Sequence, residues 1–244
     1  MHDTHCHLDL YQNPPQVAAE AEGAGIFTIA VTNLPSAYEA AKPHMRPFRH
    51  LKLALGLHPL LAQHHTLEQK RLFERLYSET DFIGEVGLDF SKEGAESKER
   101  QLESFRFVLE LLRKQSKVAT LHTRRAEKTV HELLSEYGVP PVIFHWYSGP
   151  VDLIEKISNR GDYFSVNPAM LVSAYGQKII KRIPRKLILA ETDGPFVKVN
   201  GRPARPSNVG LVHRYLASQW QLTVSEVVIQ LEDNLQRLLQ GIRR

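Results

Sequence analysis

Two histidines, His5 and His7, stand two residues apart in a short run from Met1 to Leu8, followed by Asp9 and a break at Asn13-Pro14-Pro15. In a β-strand, residues i and i+2 share a face, so both imidazoles would project together. Two same-facing neutral imidazoles are half of a site for zinc or a similar divalent ion. Residues able to complete such a site recur along the chain in short motifs. They are Glu85 in Gly84-Glu85-Val86-Gly87-Leu88-Asp89, His122 in Leu121-His122-Thr123-Arg124, His145 in Phe144-His145-Trp146, and Asp193 in Glu191-Thr192-Asp193-Gly194-Pro195-Phe196. A single buried histidine is more often a hydrogen-bonded core residue than a ligand. Four histidines and two carboxylates gathered at one place point to a metal centre.

The elements that would gather them alternate along the chain. Candidate strands run from His2 to Leu8, Ile26 to Val31, Lys52 to Leu57, Phe82 to Leu88, Lys117 to Thr123, Val142 to Trp146, Tyr163 to Asn167 and Lys186 to Thr192. Most are rich in Val, Ile, Leu or Phe without alternation, as strands buried on both faces should be. Lys98 to Lys114 reads as an amphipathic helix, with Leu102, Phe105, Leu109 and Leu112 at spacings of 3 and 4. A second helix covers Ala126 to Tyr137 with Gly138 as its stop, and a third covers Ser225 to Leu239 behind a capping box at Thr223 and Glu226. Eight strand-helix units predict an α/β fold, a closed parallel TIM (β/α)8-type barrel, as one domain over residues 1–244. In such barrels active sites form at the C-terminal ends of the strands, where each motif above falls.

A chain of 244 residues with 42% hydrophobic and 24% charged residues is composed like a globular protein able to bury one large core. One cysteine excludes an internal disulfide framework and fits a reducing compartment. The start of the sequence lacks signal-peptide character and the apolar runs are too short to span a bilayer, so a cytoplasmic location without membrane association is expected. Against 27 acidic residues, 31 basic ones leave +4, which tolerates an anionic partner without requiring one. Of the 12 histidines, His2, His44, His50, His64, His65, His131 and His213 are expected at the surface. Cys6 should point away from His5 and His7 as a small buried side chain, and Arg243-Arg244 is expected to be a frayed tail.

The ordered series Asp-x-His-x-His-Leu-Asp, Gly-Leu-His-Pro, Ile-Gly-Glu-Val-Gly-Leu-Asp, Leu-His-Thr-Arg, Phe-His-Trp-Tyr-Ser-Gly and Glu-Thr-Asp-Gly-Pro-Phe resembles the TatD family of metal-dependent deoxyribonucleases, which are amidohydrolase-like barrels. The resemblance runs from Asp3 to Leu239. It implies two divalent ions (zinc, manganese or magnesium), one held by His5, His7, Glu85 and Asp193 and the other by His122 and His145, with Glu85 bridging. Each oxygen of that carboxylate is free to bind a different ion. Two ions bring +4, only half offset by Glu85 and Asp193, which favours an activated water and an anionic phosphodiester. Hydrolysis would use Glu85 and Asp193 as catalytic groups, with Asp193 also moving a proton. The implied substrate is DNA, single-stranded and digested from the 3′ end. Substrate contacts are expected from His58, Arg124, Trp146, Lys198, Arg202 and Arg205, with arginine and lysine meeting phosphates and aromatics such as Trp146, Tyr147, Phe90 or Phe196 stacking bases.

The chain departs from the usual family pattern at Trp146-Tyr147 and at Arg205-Pro206-Ser207-Asn208. These features resemble the TatD-like nucleases of bacterial Qat anti-phage systems, which implies work beside other proteins of a defence cluster. Two rival readings are an amidohydrolase acting on a small ester, lactone or amide, and a non-enzymatic subunit of a defence complex. Fold and ligands alone do not choose among substrates. The basic loop from Lys198 to Arg205 leans toward a long anion, and an intact ligand set has no use in a scaffold.

Overall fold

The computed structural model describes residues 1–241; the tail at Arg243-Arg244 lies outside them. Eight parallel strands pair in strict chain order. They are β1 (His2–Cys6), β2 (Phe27–Val31), β3 (Leu51–Leu57), β4 (Phe82–Gly87), β5 (Val118–His122), β6 (Ile143–Phe144), β7 (Tyr163–Val166) and β8 (Ile188–Ala190). Helices α1 (Pro14–Gly23), α2 (Pro35–Met45), α3 (Leu67–Tyr77), α4 (Lys98–Lys114), α5 (Glu127–Tyr137) and α6 (Leu153–Arg160) cover the first crossovers. After β7 come α7 (Pro168–Val172) and α8 (Ala174–Arg182). A two-stranded ribbon, β9 (Lys198–Val199) and β10 (Arg202–Pro203), then precedes α9 (Val209–Trp220) and α10 (Val224–Gly241). The expected barrel is present, with β6 and β8 shorter than their apolar runs suggest.

Local sequence accounts for the helices. In α4, Phe105, Leu109 and Leu112 are buried while Leu102 packs at the margin. Each buried side chain of this kind stabilises by about 2 kcal/mol. Gly138 ends α5 at φ 58°, a left-handed position that glycine adopts without steric cost. Thr223 and Glu226 form the expected capping box, the threonine amide donating to the glutamate at 2.8 Å and the glutamate amide to the threonine hydroxyl at 3.2 Å.

The seam between β1 and β8 holds the two ends of the barrel together through polar groups. The Asp193 amide donates to the His5 carbonyl at 2.9 Å, and the His7 amide to the Gly194 carbonyl at 2.8 Å. Fully buried Asp3 accepts from the Thr192 amide at 2.9 Å, from the His5 amide at 3.2 Å and from the Thr192 hydroxyl. The Ala190 amide donates to Nε2 of His2 at 3.2 Å. The other His2 nitrogen therefore carries the proton and faces Glu232 of α10 at 3.2 Å.

His2 is thus a seam residue and not the surface residue expected from sequence. His65 and His213 also depart from that expectation, since both are buried. His65 closes the loop after β3 against Ser104 of α4, with Nδ1 2.9 Å from its hydroxyl. His213 lies on the inner face of α9. Burial holds each imidazole down at about 4, and nearby positive groups add to the effect. Both groups are depressed below the unfolded value of roughly 6.5, so their contribution is intact above it and lost as pH falls from about 6.5 to about 4. Unfolding free energy is expected to drop by roughly 2 kcal/mol per histidine between pH 7 and 5. Denaturant titrations of His65→Gln and His213→Gln against pH check this, each variant flattening the acid limb by its share.

Candidate metal centre

The six residues expected to bind metal meet at the C-terminal rim. His5 lies on β1 and His7 just beyond it, Glu85 on β4, His122 at the end of β5, His145 after β6 and Asp193 after β8. Two strands bend to deliver them. The ladder shifts register in β1 between Asp3 and Cys6, and in β4 between Ile83 and Val86 on both of its sides. Irregularities of this kind re-aim a side chain, and they bracket His5 and Glu85. Cys6 is buried on the other side of β1, as expected. Gly194 is required by space, because a Cβ there would lie 1.9 Å from the Tyr11 hydroxyl and 2.2 Å from the Ala204 carbonyl oxygen.

Glu85 divides the site in two. Its Oε2 is 3.4 Å from His5 Nε2, 3.2 Å from His7 Nε2 and 3.4 Å from His58 Nε2. Its Oε1 is 2.7 Å from His122 Nδ1 and 3.0 Å from His145 Nε2. On the first side, the two Nε2 atoms of His5 and His7 are 3.3 Å apart, with Asp193 Oδ1 at 3.8 and 3.6 Å from them. Ligands about 2.0–2.1 Å from a tetrahedral ion stand about 3.3 Å from one another, so these donors fit a divalent cation.

The second side is held from behind by carboxylates. His122 Nε2 lies 2.7 Å from Asp89 and His145 Nδ1 lies 3.5 Å from Glu191. An ionised Asp89 only accepts, so His122 Nε2 donates to it and the inward Nδ1 is the nitrogen that can ligate, while His145 Nδ1 faces Glu191 without hydrogen-bond geometry and turns Nε2 toward Glu85. His5 has a comparable partner in Thr120, 2.8 Å from its Nδ1. His58 differs. Its Nδ1 accepts the Leu60 amide at 3.1 Å, which leaves Nε2 protonated and donating toward Glu85. That tautomer suits a hydrogen-bonding group and not a ligand, although His58, Glu85 and His122 also lie close enough to surround an ion.

Electrostatics follow from the packing. Burial opposes ionisation of Glu85, yet His58, His145 and His5 hold its carboxyl well below the usual range. Burial likewise opposes a charge on His122, but Asp89 and Glu85 raise it to about 8. His145 is raised well above its ordinary value by Glu191 and Glu85, against burial. A cation bound there would compete with protons on both rings. Burial raises Asp193 to about 7.

A cleft of about 670 Å³ opens over this centre, with His7, His58, Arg124, Trp146, Ser148 and Phe196 on its walls. Trp146 is 37% and Phe196 58% exposed, and the Phe196 ring stands edge-on to His7 at 5.0 Å. Lys198, Arg202 and Arg205 do not line it. The first two sit on the β9–β10 ribbon, and Arg205 pairs with Glu20 of α1. A second cavity, about 570 Å³ between α1 and α2, is walled mainly by apolar residues such as Pro14, Ala18, Ala40 and Met45 and brings no comparable set of ligating groups together. Sequence reasoning assigned no role to Asp3, Asp89, Thr120 or Glu191. Three of these are carboxylates inside the same motifs as the candidate ligands, and that co-location was the available signal. No helix among the described residues is long and apolar enough to cross a membrane.

Similar proteins share this arrangement of chain. Human deoxyribonuclease TATDN3 is 27% identical, the alignment covering 99% of this chain and 95% of that protein. An uncharacterized metal-dependent hydrolase of Bacillus subtilis, YabD, is 27% identical over 97% of each chain. The crystal structure of YjjV, a TatD homologue from Escherichia coli, superposes with a TM-score of 0.87 at 22% identity, covering 98% of this chain and 97% of that one. At that identity the likeness speaks for the fold. The sequence itself matches the family described as TatD related DNase over residues 2–240, so the chain belongs to the TatD family.

Proposed function

We propose that this protein is a metal-dependent deoxyribonuclease that hydrolyses DNA phosphodiester bonds, with His5, His7, Glu85 and Asp193 holding one divalent ion and Glu85, His122 and His145 a second. The observation that carries this reading is the division of Glu85, one oxygen toward His5 and His7 and the other toward His122 and His145. The deoxyribonuclease names of relatives such as TATDN3 support DNA as the substrate.

Bound divalent ions supply Lewis acidity, lowering the pKa of water toward about 7 and offsetting charge on the phosphodiester. The chain's own groups do the rest. Asp193, with Oδ1 beside His5 and His7, takes the proton from the attacking water. Asp89 and Glu191 keep the inward nitrogens of His122 and His145 aimed at Glu85. Arg124 on the cleft wall meets a backbone phosphate, His58 donates toward the bound anion, and Trp146 and Phe196 offer faces to unpaired bases. Lys198, Arg202 and Arg205 would act farther along a strand, beyond the cleft.

Two aromatics at the mouth suit an unstacked base better than a duplex, which supports single-stranded DNA; digestion from the 3′ end rests on the family resemblance alone. Cleavage of strands labelled at either end, with zinc, manganese or magnesium and with chelator, tests this. Progressive shortening of 5′-labelled strands is the expected result, and no cleavage with any of these ions overturns it. The Trp146-Tyr147 and Arg205-Pro206-Ser207-Asn208 departures, through their resemblance to the Qat-system nucleases, support a role in anti-phage defence beside other proteins. Loss of phage protection on disabling Glu85 in the native cluster is the matching test.

Trp146 has φ 37°, a left-handed backbone that a bulky side chain adopts only at a cost of about 1–3 kcal/mol. Trp146→Gly is expected to leave Tm unchanged or higher while raising KM for single-stranded DNA about tenfold, since stacking one base contributes about 1–3 kcal/mol. Thermal melts and steady-state kinetics on the same sample check both halves.

A further inference from the structure

We propose that Glu191 is a positioning residue that couples the metal centre to the aromatic side chain at the cleft mouth. The proposal rests on the metal centre described above and not on the identity of the substrate. Glu191 is fully buried where β8 ends, and four groups converge on its carboxylate. Oε1 accepts the Trp146 amide at 3.0 Å and the Asn167 side-chain amide at 2.9 Å, and faces His145 Nδ1 at 3.5 Å. Oε2 accepts the Ser165 hydroxyl.

His145 and Trp146 are neighbours in sequence but serve opposite sides of the site. The His145 ring lies flat against His5, 3.8 Å between centroids and 9° between planes, with Nε2 3.0 Å from Glu85. The Trp146 side chain stands at the cleft opening on a left-handed backbone. One oxygen of Glu191 thus faces the ring of the first residue and holds the main chain of the second. Ser165 and Asn167 lie on and just after β7, so the carboxylate is itself anchored from a separate strand. Because Oε1 is shared between the His145 ring and the Trp146 amide, a displacement of the ring changes what that oxygen offers the amide. Among the described residues, no other side chain accepts from that amide. Metal occupancy and the presentation of Trp146 are therefore linked through one atom.

Trp146 and Trp220 are the two tryptophans of the chain, which makes the coupling observable without substrate. In a Trp220→Phe background, the probe is zinc alone, titrated into metal-stripped protein while the emission of Trp146 is followed. Affinity is measured separately by chelator competition. The parent is expected to show a saturable, zinc-dependent change in emission. Glu191→Gln retains an acceptor for the Trp146 amide but loses the charge behind His145; it should weaken zinc binding by about 10-fold or more and retain the emission change at saturation. Glu191→Ala should weaken binding at least as much and abolish the emission change. Wild-type zinc affinity in Glu191→Gln, an unaltered emission change in folded Glu191→Ala, or no zinc response in the parent would each overturn the proposal. Where Glu191→Ala does not fold, Glu191→Gln decides. DNA hydrolysis enters none of these readouts, so the proposed function can fail separately.

Discussion

Glu85→Ala is expected to lower hydrolysis of labelled single-stranded DNA by about 10³-fold or more, about 4 kcal/mol of barrier. It is also expected to reduce bound metal from two ions per chain to one or none. Glu85 turns one oxygen to each half of the site, so its loss removes an oxygen from each at once. His5 and His122 remain hydrogen-bonded from behind by Thr120 and Asp89, so the barrel should survive the change. Metal analysis of the purified variant, with a parallel rate measurement, checks both statements. A rate within tenfold of wild type would defeat the two-ion assignment. One ion retained with activity lost would support the bridge over two independent sites.

The second large effect is on stability. Asp3→Ala is expected to cost about 3 kcal/mol, because it strands the buried Thr192 and His5 amides and the Thr192 hydroxyl without their acceptor. For a chain of this size that lowers Tm by about 10 °C. Asp3→Asn keeps an oxygen for the Thr192 amide and should lose less than half as much. The same change loosens the seam that brings His5 and His7 to Asp193, so zinc affinity should fall alongside Tm. A melt within 2 °C of wild type would remove Asp3 from this role.

The barrel was legible because its strands are apolar on both faces and its crossovers carry helical spacing, as Phe105, Leu109 and Leu112 show in α4. The candidate ligands were legible for a related reason: each sits at the strand end where this architecture assembles chemistry. What escaped were polar residues whose partners lie far away in sequence. His2 meets Glu232, Asp3 meets Thr192 and His65 meets Ser104, and nothing in the local pattern marks such a residue as inward-facing. Asp89 and Glu191 escaped for the opposite reason. Beside a stronger candidate in the same motif, a carboxylate that only orients another side chain has no distinct spacing of its own. The basic residues at 198, 202 and 205 show the limit of composition, since clustering in sequence did not bring them into the cleft.

The β1–β8 seam also bears on synthesis. His5 and His7 leave the ribosome before Asp193, which follows them by more than 180 residues. At roughly 5–20 residues per second the first two histidines wait about 10–40 s for the carboxylate that completes their half of the site. Until then Asp3 and the β1 carbonyls have no partner strand, and contacts this distant in the chain form slowly because ring closure must precede them. A nascent chain that has not reached Asp193 therefore lacks one group of the candidate metal centre. The proposed activity arrives only with the closing strand.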